Sequence, residues 1–159
     1  MLANTFERFS IDVPDEVLAD LRRRLQATRW TDETEAEPWH YGPPLAYMQR
    51  FAKYWLHHYD WRRHEVALNK LQHYKTDIDG HGIHFVYQEG VGPDPIPLIL
   101  THGWPGSFIE FVRILPMLTD PAAHGGRAED AFTVVVPSIP GYGFSSRPTK
   151  PGMNYEVVG

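Results

Sequence analysis

The chain has 159 residues, a length that suits one domain with one sizeable core. Hydrophobic residues make up 42% and aromatic residues 13%, which excludes an acidic disordered chain even though the net charge is -5. The mild acidity disfavours a general nucleic-acid binder, since such proteins carry a basic stripe, and the absence of cysteine excludes disulfides and thiolate metal sites.

The sequence favours a cytoplasmic chain that makes no contact with a membrane. Its start, "MLANTFERFSIDVPDE", lacks the basic residues and continuous apolar segment of a secretory signal. No later apolar run approaches the roughly 18 residues that a membrane helix needs. We therefore expect a cytoplasmic location, with no membrane and no nucleic acid among the partners.

Residues 1–70 follow a helical period. A first helix is predicted from Pro14-Asp15-Glu16, because proline and acidic residues suit a first helical turn, and it should end near Arg29-Trp30. A second is predicted within "PPLAYMQRFAKYWLHHYDW", and a shorter third over residues 61–71. Apolar side chains recur in the second helix every three or four residues, which predicts a stripe in the core. The stripe consists of Leu45, Met48, Phe51, Trp55 and Tyr59.

Residues 71–159 change to strand patterns. "LQHYKTDI" and "GIHFVYQE" flank Asp79-Gly80, which supplies the positive φ angles of a hairpin turn. "PLILTH" and "AFTVVVPSI" are apolar without alternation, as in parallel strands covered on both faces. Between them, "SFIEFVRILPMLTD" is predicted to be helical, with Pro116 kinking it or ending it early. This part is therefore predicted to be an α/β core with a right-handed crossover.

The turn between "PLILT" and the next helix is unusually constrained. Ser107 and Glu110 fit a capping box, so the chain has only His102-Gly103-Trp104-Pro105-Gly106 in which to turn. Ligands of open α/β sheets bind beyond the carboxyl ends of the strands, where this loop lies. Glycine allows close approach of the backbone, and the Trp104–Pro105 bond is a candidate for the cis form. Two interpretations remain: a cramped turn with buried His102 and Trp104, or an oxyanion hole whose donor is the Trp104 N–H.

Several stretches together resemble one family. "LRRRLQATRW", "YWLHHYDWRRHEVALNKLQHYKTDIDGHGIHFVY", "THGWPGSFIEF" and "VVPSIPGYGFS" are similar, in this order, to the N-terminal half of microsomal-type epoxide hydrolases. The resemblance runs from about Phe6 to Ser145. It implies a helical N-terminal segment, residues 1–70, followed by the first half of an α/β-hydrolase core, residues 71–159, with about four strands and truncated before the nucleophile elbow.

The resemblance also assigns roles to residues. Trp104 matches the residue whose backbone N–H completes the oxyanion hole, with His102, Gly103 and Pro105 shaping the motif. We expect Trp104 and Phe108 to contact the substrate, a small apolar epoxide, and we expect no cofactor and no metal. A glycine-rich loop that shapes the wall of the site matches Gly141, Tyr142, Gly143, Phe144 and Ser145.

The other catalytic groups of the family have no match in the chain. The resemblance implies an Asp nucleophile on a turn after a fifth core strand, tyrosines from a lid and a His-acid pair. No Asp here follows such a strand; Asp120 and Asp130 fit loop or cap positions. Ser145 and Ser146 lie in no Gly-x-Ser-x-Gly elbow. We therefore expect the 159-residue chain alone to be inactive.

This expectation has a physical consequence and leaves alternatives open. In the family's strand order "PLILT" lies between "AFTVVVPSI" and a strand absent from these residues, so its outer edge should be unpaired and prone to self-association or to pairing with a partner chain. The sequence leaves open an epoxide hydrolase, another α/β-hydrolase such as an esterase, and a non-catalytic fragment or interaction module.

Overall fold

The computed structural model describes residues 5–158, which form two compact units. One unit consists of residues 11–66, and the other of residues 5–10 together with residues 67–158. The predicted domain boundary between residues 70 and 71 stays a prediction. Within the described range, no helix has both the length and the apolar character needed to cross a bilayer.

Helices build the unit of residues 11–66. Helix α1 spans Asp15–Gln26, α2 spans Leu45–His58 and α3 spans Trp61–Leu68, of which the last two residues belong to the other unit. Helix α1 ends three residues before the predicted position. The Thr28 hydroxyl lies 2.8 Å from the Leu25 carbonyl oxygen and 3.2 Å from that of Arg24. The single hydroxyl proton is offered to carbonyl oxygens that a longer helix would have bonded, so the hydroxyl takes the place of the next helical N–H.

The aromatic stripe of α2 does not form a core, contrary to the prediction. No residue of α2 is buried, and Met48, Phe51, Trp55 and Tyr59 are all exposed. A unit of this size with two main helices has little interior to offer large rings. The rings instead contact one another along the helix, with Trp55 lying 6.3 Å from Phe51 and 6.4 Å from Tyr59 between ring centroids.

Glu65 joins α3 to the chain that precedes α1. Its side chain is buried, and it accepts hydrogen bonds from the Val13 N–H at 2.8 Å, the Trp61 indole at 3.0 Å and the Arg62 guanidinium at 2.6 Å. Arg62 in turn donates to the Val13 carbonyl oxygen at 2.7 Å and to Asp15 at 2.6 Å. The N–H of Val13, followed by Arg62 and Trp61, lowers the pKa of Glu65 despite its burial.

Replacing Glu65 by alanine is expected to lower the free energy of unfolding by about 1 to 2 kcal/mol, because three donors lose their acceptor in a buried position. Urea unfolding followed by tryptophan fluorescence measures the change. Glu65→Gln is the control, since it keeps a carbonyl oxygen for Val13 and Trp61 and should lose less. Equal losses in the two variants would contradict the role of these hydrogen bonds.

The other unit is built on a five-stranded sheet in the order β1-β2-β3-β5-β4. The strands are β1 Glu7–Arg8, β2 Gln72–Ile78, β3 His81–Gln88, β4 Ile96–Ile99 and β5 Phe132–Pro137. The hairpin of β2 and β3 confirms the prediction, with φ of 52° at Asp79 and 79° at Gly80. Strand β1 was not predicted, because two residues carry no detectable period. It pairs antiparallel with β2 at Lys75 and Tyr74.

Strands β4 and β5 are parallel, as predicted. The prediction that both are covered on their two faces is wrong for β4, because it lies at the edge of the sheet and its residues Ile96, Pro97 and Ile99 are exposed. The segment between the two strands is not one helix. It forms a 3-10 turn at Phe108–Phe111, the short helix α4 at Leu115–Thr119, and two further 3-10 turns at Pro121–His124 and Ala128–Asp130. Pro116 lies in the first turn of α4 instead of ending a helix. Proline is tolerated there because the first N–H groups of a helix have no internal acceptor, so the break precedes the proline.

One face of the sheet is covered by packed elements, and the opposite face is open. One face packs against the 3-10 turn at Phe108 and against α4, and it holds fully buried residues that include Val86, Val134 and Val136. The opposite face borders an open apolar groove of about 920 Å³, lined by residues such as Tyr74, Ile83, Phe85, Ile99, Val135 and Ile139. The short helix α5, Tyr155–Val158, contributes Val157 and Val158 to this groove.

Candidate active-site loops

The loop after β4 turns tightly, as the sequence predicts. The N–H of Gly106 donates to the Gly103 carbonyl oxygen at 2.7 Å, and the Trp104–Pro105 bond is cis. Across residues 5–158 no acceptor lies in hydrogen-bond range of the Trp104 N–H, and the Trp104 side chain is 82% exposed. The predicted donor is therefore free. The exposed ring of Trp104 is contrary to the cramped-turn interpretation, which expects it to be buried.

The space beside Gly106 is filled by the end of the Glu110 side chain, which would have to move if position 106 carried a Cβ. A Cβ at this position would lie 1.3 Å from Oε1 of Glu110 and 3.1 Å from the Gly103 carbonyl oxygen. The capping prediction is met in part: Ser107 Oγ accepts from Ile109 N–H at 3.4 Å, while the Glu110 carboxylate lies over Gly106. The turn after Ser107 is a 3-10 turn, which moves the capped N–H to Ile109.

His102 connects this loop to the chain that follows β5. It is 3% exposed, and its Nε2 accepts a hydrogen bond from the Ile139 N–H at 3.1 Å. Because a backbone N–H can only donate, Nε2 carries no proton, and the ring proton lies on Nδ1, which faces the Gly103 carbonyl oxygen at 3.4 Å. The ring also packs edge-on against Tyr142 at 5.2 Å. This arrangement is consistent with the orienting role that the resemblance implies for His102.

The glycine-rich loop, Gly141–Ser145, is anchored at both ends. Gly141 and Gly143 have positive φ angles of 87° and 51°, which favour glycine, and the Gly141 N–H donates to the Ser146 carbonyl oxygen at 2.9 Å. A Cβ at Gly143 would lie 2.6 Å from Ser138 Oγ. The Ser145 hydroxyl donates to the Ser138 carbonyl oxygen at 2.7 Å and accepts from His84 N–H at 2.9 Å. These bonds support a structural role for the loop, and its predicted role in shaping the wall of the site stays a prediction.

Phe108 lies in the interior. It is 2% exposed and contacts the rings of His73, His84 and Phe144 at centroid distances of 5.7, 5.2 and 6.1 Å. This position favours a core role, and its predicted contact with substrate stays a prediction. Trp104, by contrast, offers an exposed ring at the mouth of the loop.

Other candidate residues have structural partners. Asp120 accepts from the Ala123 N–H at 3.3 Å as a helix cap, and Asp130 pairs with Arg127 at 2.9 Å, which agrees with the predicted cap and loop roles. In the described part of the chain no three His, Asp or Glu side chains are arranged to hold a metal ion.

Sequence reasoning missed two features of this region. One is the apolar groove, whose signal was the alternation of Ile83, Phe85 and Tyr87 along β3. The other is a buried contact between His73 and His84, with Nδ1 of the first 2.9 Å from Nε2 of the second. No local pattern marks such a pair, because the two residues meet only through the register of the hairpin.

Known proteins resemble this chain over most of its length. Residues 6–111 match the family model described as "Epoxide hydrolase N terminus". A curated relative from Stigmatella aurantiaca is 53% identical over 146 residues, which is 92% of this chain and 33% of the relative. Epoxide hydrolase 1 of Oryctolagus cuniculus is 43% identical over 150 residues, again 92% of this chain and 33% of that protein.

The structure has solved counterparts as well. The epoxide hydrolase of Aspergillus niger superposes with a TM-score of 0.80 at 33% identity, covering 93% of this chain and 38% of that one. The chain therefore spans about a third of the length of the curated relatives that it matches.

Proposed function

The chain belongs to the epoxide hydrolase family, and from this premise we propose that it supplies the oxyanion-hole part of an enzyme that adds water to an epoxide to give a vicinal diol. The observation that carries the proposal is the free N–H of Trp104. It lies in a loop that is closed by the Gly106–Gly103 hydrogen bond and tied through His102 to Ile139.

The proposed reaction has two steps, and this chain acts in the second. In the first, an Asp carboxylate outside these residues attacks an epoxide carbon, the C–O bond breaks, and lid tyrosines give the ring oxygen a proton. In the second, the histidine of a His-acid pair takes a proton from water, the water oxygen attacks the ester carbonyl carbon, and the carbonyl oxygen becomes an oxyanion. When this intermediate collapses, the bond from the carbonyl carbon to the substrate oxygen breaks, that oxygen receives the proton from the histidine, and the diol leaves with the Asp carboxylate restored. The Trp104 N–H donates to that oxyanion, and its fixed position means that little reorganisation is needed as the charge develops.

The apolar groove and the outer edge of β4 support the proposal that a further polypeptide segment completes the site. Ile96 N–H and Leu100 N–H donate to carbonyl oxygens on the β5 side, so the alternate residues Pro97 and Ile99 present their backbone groups to the open side. Ile99 is 67% exposed. A parallel strand placed there would accept from the Ile99 N–H and extend the sheet beyond β4.

A direct assay tests the proposed function. The 159-residue chain is expected to form no detectable diol from styrene oxide. A chimaera in which this chain replaces the matching part of the Aspergillus niger epoxide hydrolase is expected to form the diol, with the parent enzyme as the control. Turnover by the chain alone would overturn the proposal that the nucleophile, the lid tyrosines and the His-acid pair lie outside these residues. A folded but inactive chimaera would count against the role of this chain in the reaction.

The open edge favours a second candidate, a non-catalytic interaction module. The same apolar face that a catalytic partner would cover also suits a partner without catalysis. The discriminating observation is the reading frame after Gly159. A following strand that ends in a small-x-Asp-x-small turn supports the enzyme, and a stop codon supports the module.

The unpaired edge also predicts self-association of the isolated chain. We expect size-exclusion chromatography with light scattering to give a mass above that of the 18.3 kDa monomer, increasing with concentration. Ile99→Lys should shift the chain toward the monomer, because a charge on an edge strand opposes pairing. Lysine in place of the exposed Val66, which lies in the helical unit, is the control and should change nothing. A wild-type monomer at all concentrations would contradict the prediction.

A further inference from the structure

Three polar side chains form a buried chain of hydrogen bonds behind the loop that follows β5. Ser138 Oγ lies 2.8 Å from Nδ1 of His84, Nε2 of His84 lies 2.9 Å from Nδ1 of His73, and Nε2 of His73 lies 2.8 Å from the Leu68 carbonyl oxygen. All three residues are buried, and His84 and Ser138 are completely so. Polar groups in the interior normally have partners, and here each partner is another member of the chain.

The series of hydrogen bonds ends at the Leu68 carbonyl oxygen, and this acceptor fixes the direction of every bond in the series. A carbonyl oxygen can only accept, so the proton of His73 lies on Nε2. In neutral His73 the Nδ1 atom then accepts, which requires the proton of His84 on Nε2. The Nδ1 atom of neutral His84 must in turn accept, and its donor is the Ser138 hydroxyl. Each hydrogen bond of the series is therefore donated in the direction from Ser138 to Leu68, and the Ser138 hydroxyl can take only one orientation.

The surroundings keep both histidines neutral. Aromatic rings of Phe9, Phe108 and Phe144 lie 5.2 to 5.4 Å from the His84 ring. The charged or titratable groups that act on His84 are His73 and Lys75 of β2, and both oppose a positive charge there. Burial, with smaller effects of these two, lowers the pKa of His84 to about 3, and burial also lowers the pKa of His73. Among residues 5–158 no carboxylate acts on His84 that could compensate a charged imidazole for its burial.

We propose that His84 and Ser138 are positioning residues for the candidate active-site loops. Their directed hydrogen bond fixes the backbone at Ser138, so that the next N–H, that of Ile139, meets Nε2 of His102 at the neck of the loop that carries Trp104. Two further hydrogen bonds hold Ser138 in place. Its N–H donates to the His84 carbonyl oxygen, and its carbonyl oxygen accepts from the Ser145 hydroxyl. This inference rests on the proposed function, because that function gives the Trp104 N–H its role. It concerns the geometry of the loops, and its tests do not measure catalysis.

The first experiment measures the proton positions in the unmodified chain. Imidazole ¹⁵N spectra at neutral pH should show His73 and His84 as neutral rings protonated on Nε2, with His84 still neutral at pH 5. A His84 ring protonated on Nδ1, or one that titrates near its ordinary pKa, would contradict the proposed direction of these hydrogen bonds. No variant needs to fold for this result to be decisive.

The second experiment asks whether the chain of bonds acts on the loops. Ser138→Ala removes only the hydroxyl, and we expect the Ile139 N–H to exchange with solvent about tenfold faster, with shifted amide resonances at Ile139 and Trp104. Ser146→Ala is the matched control, because Ser146 is exposed and its bonds are made by its backbone. Equal exchange of the Ile139 N–H in the two variants would refute the positioning role.

A pair of substitutions at His84 separates positioning from packing. Asparagine places an oxygen near the site of Nδ1 and can still accept from Ser138, whereas glutamine places its amide near Nε2 and keeps only the side that faces His73. We expect His84→Asn to keep the Ile139 and Trp104 resonances near their wild-type positions and His84→Gln to shift them. If both variants shift the loops equally, packing of the ring, and not its bond to Ser138, sets the loop geometry.

Discussion

Replacing Trp104 by proline is expected to lower the rate of ester hydrolysis about 100- to 1,000-fold in the chimaera that carries this chain, since proline removes the one N–H proposed to face the oxyanion. Formation of the ester should be affected less, because its negative charge develops on the epoxide oxygen. The substituted enzyme should therefore accumulate the covalent intermediate. Rapid-quench kinetics with styrene oxide, combined with mass spectrometry of the protein, would detect it.

Two variants control for the loss of the ring and for disruption of the loop. Trp104→Phe and Trp104→Ala keep the backbone N–H, and since the ring is exposed they should retain most of the hydrolytic rate. All three variants should give circular dichroism spectra like that of the unsubstituted chimaera. A hydrolytic rate in Trp104→Ala as low as that in Trp104→Pro would mean that the indole, not the backbone, carries the function.

Acidification is expected to destabilise the chain through His84 by about 2 kcal/mol between pH 6.5 and pH 4.5. The pKa of His84 is lowered to about 3 in the folded chain from an ordinary value of 6.5. Between those two values the unfolded chain binds the proton and the folded chain does not, so the stabilisation is complete above pH 6.5 and is lost as the pH falls toward 3. His73 acts in the same direction, because burial lowers its pKa as well.

Urea unfolding at a series of pH values measures this dependence. His84→Asn is the control, because it cannot titrate but still accepts from Ser138, and its stability should fall less steeply with acid. The carboxylates with lowered pKa values, Glu65, Asp20 and Asp130, also lose stabilisation as the pH approaches 4.5, but they are present in both proteins, so their effect cancels when the variant is compared with the wild type. Parallel pH profiles in the variant and the wild type would contradict the assignment to His84.

Local chemistry explains which parts of the fold could be predicted. Asp79-Gly80 specifies a hairpin through its own backbone preferences, and the apolar runs of β4 and β5 predict parallel strands. Burial follows for β5 but not for β4, whose residues are mostly exposed at the edge of the sheet. The loop at Trp104 could be predicted because glycine, proline and a capping serine act within six residues. The position of β4 at the edge of the sheet agrees with the strand order that the family resemblance implies.

The parts that could not be predicted depend on distant contacts or on the amount of chain available for packing. The spacing of the α2 rings is that of a core helix, yet burial requires a surface to pack against, and in this structure the rings are exposed. The apolar period of "SFIEFVRILPMLTD" predicts one helix, but a separate helix, α4, starts at Leu115 with Pro116 in its first turn, and this divides the segment. The hydrogen bond from Ile139 to His102 spans 37 positions and leaves no local signal.

One edge of the sheet is covered along its middle and the other is free, and this asymmetry limits self-assembly through strand pairing to two copies. Residues 5–9 cover the middle of the outer edge of β2, through β1 and through the Phe9 N–H bonded to the His73 carbonyl oxygen. Strand β4 then offers the one long free edge among the described residues. When two copies join through a single edge each, neither has an edge left for a third, so the assembly terminates as a two-fold symmetric pair and does not grow into a fibre.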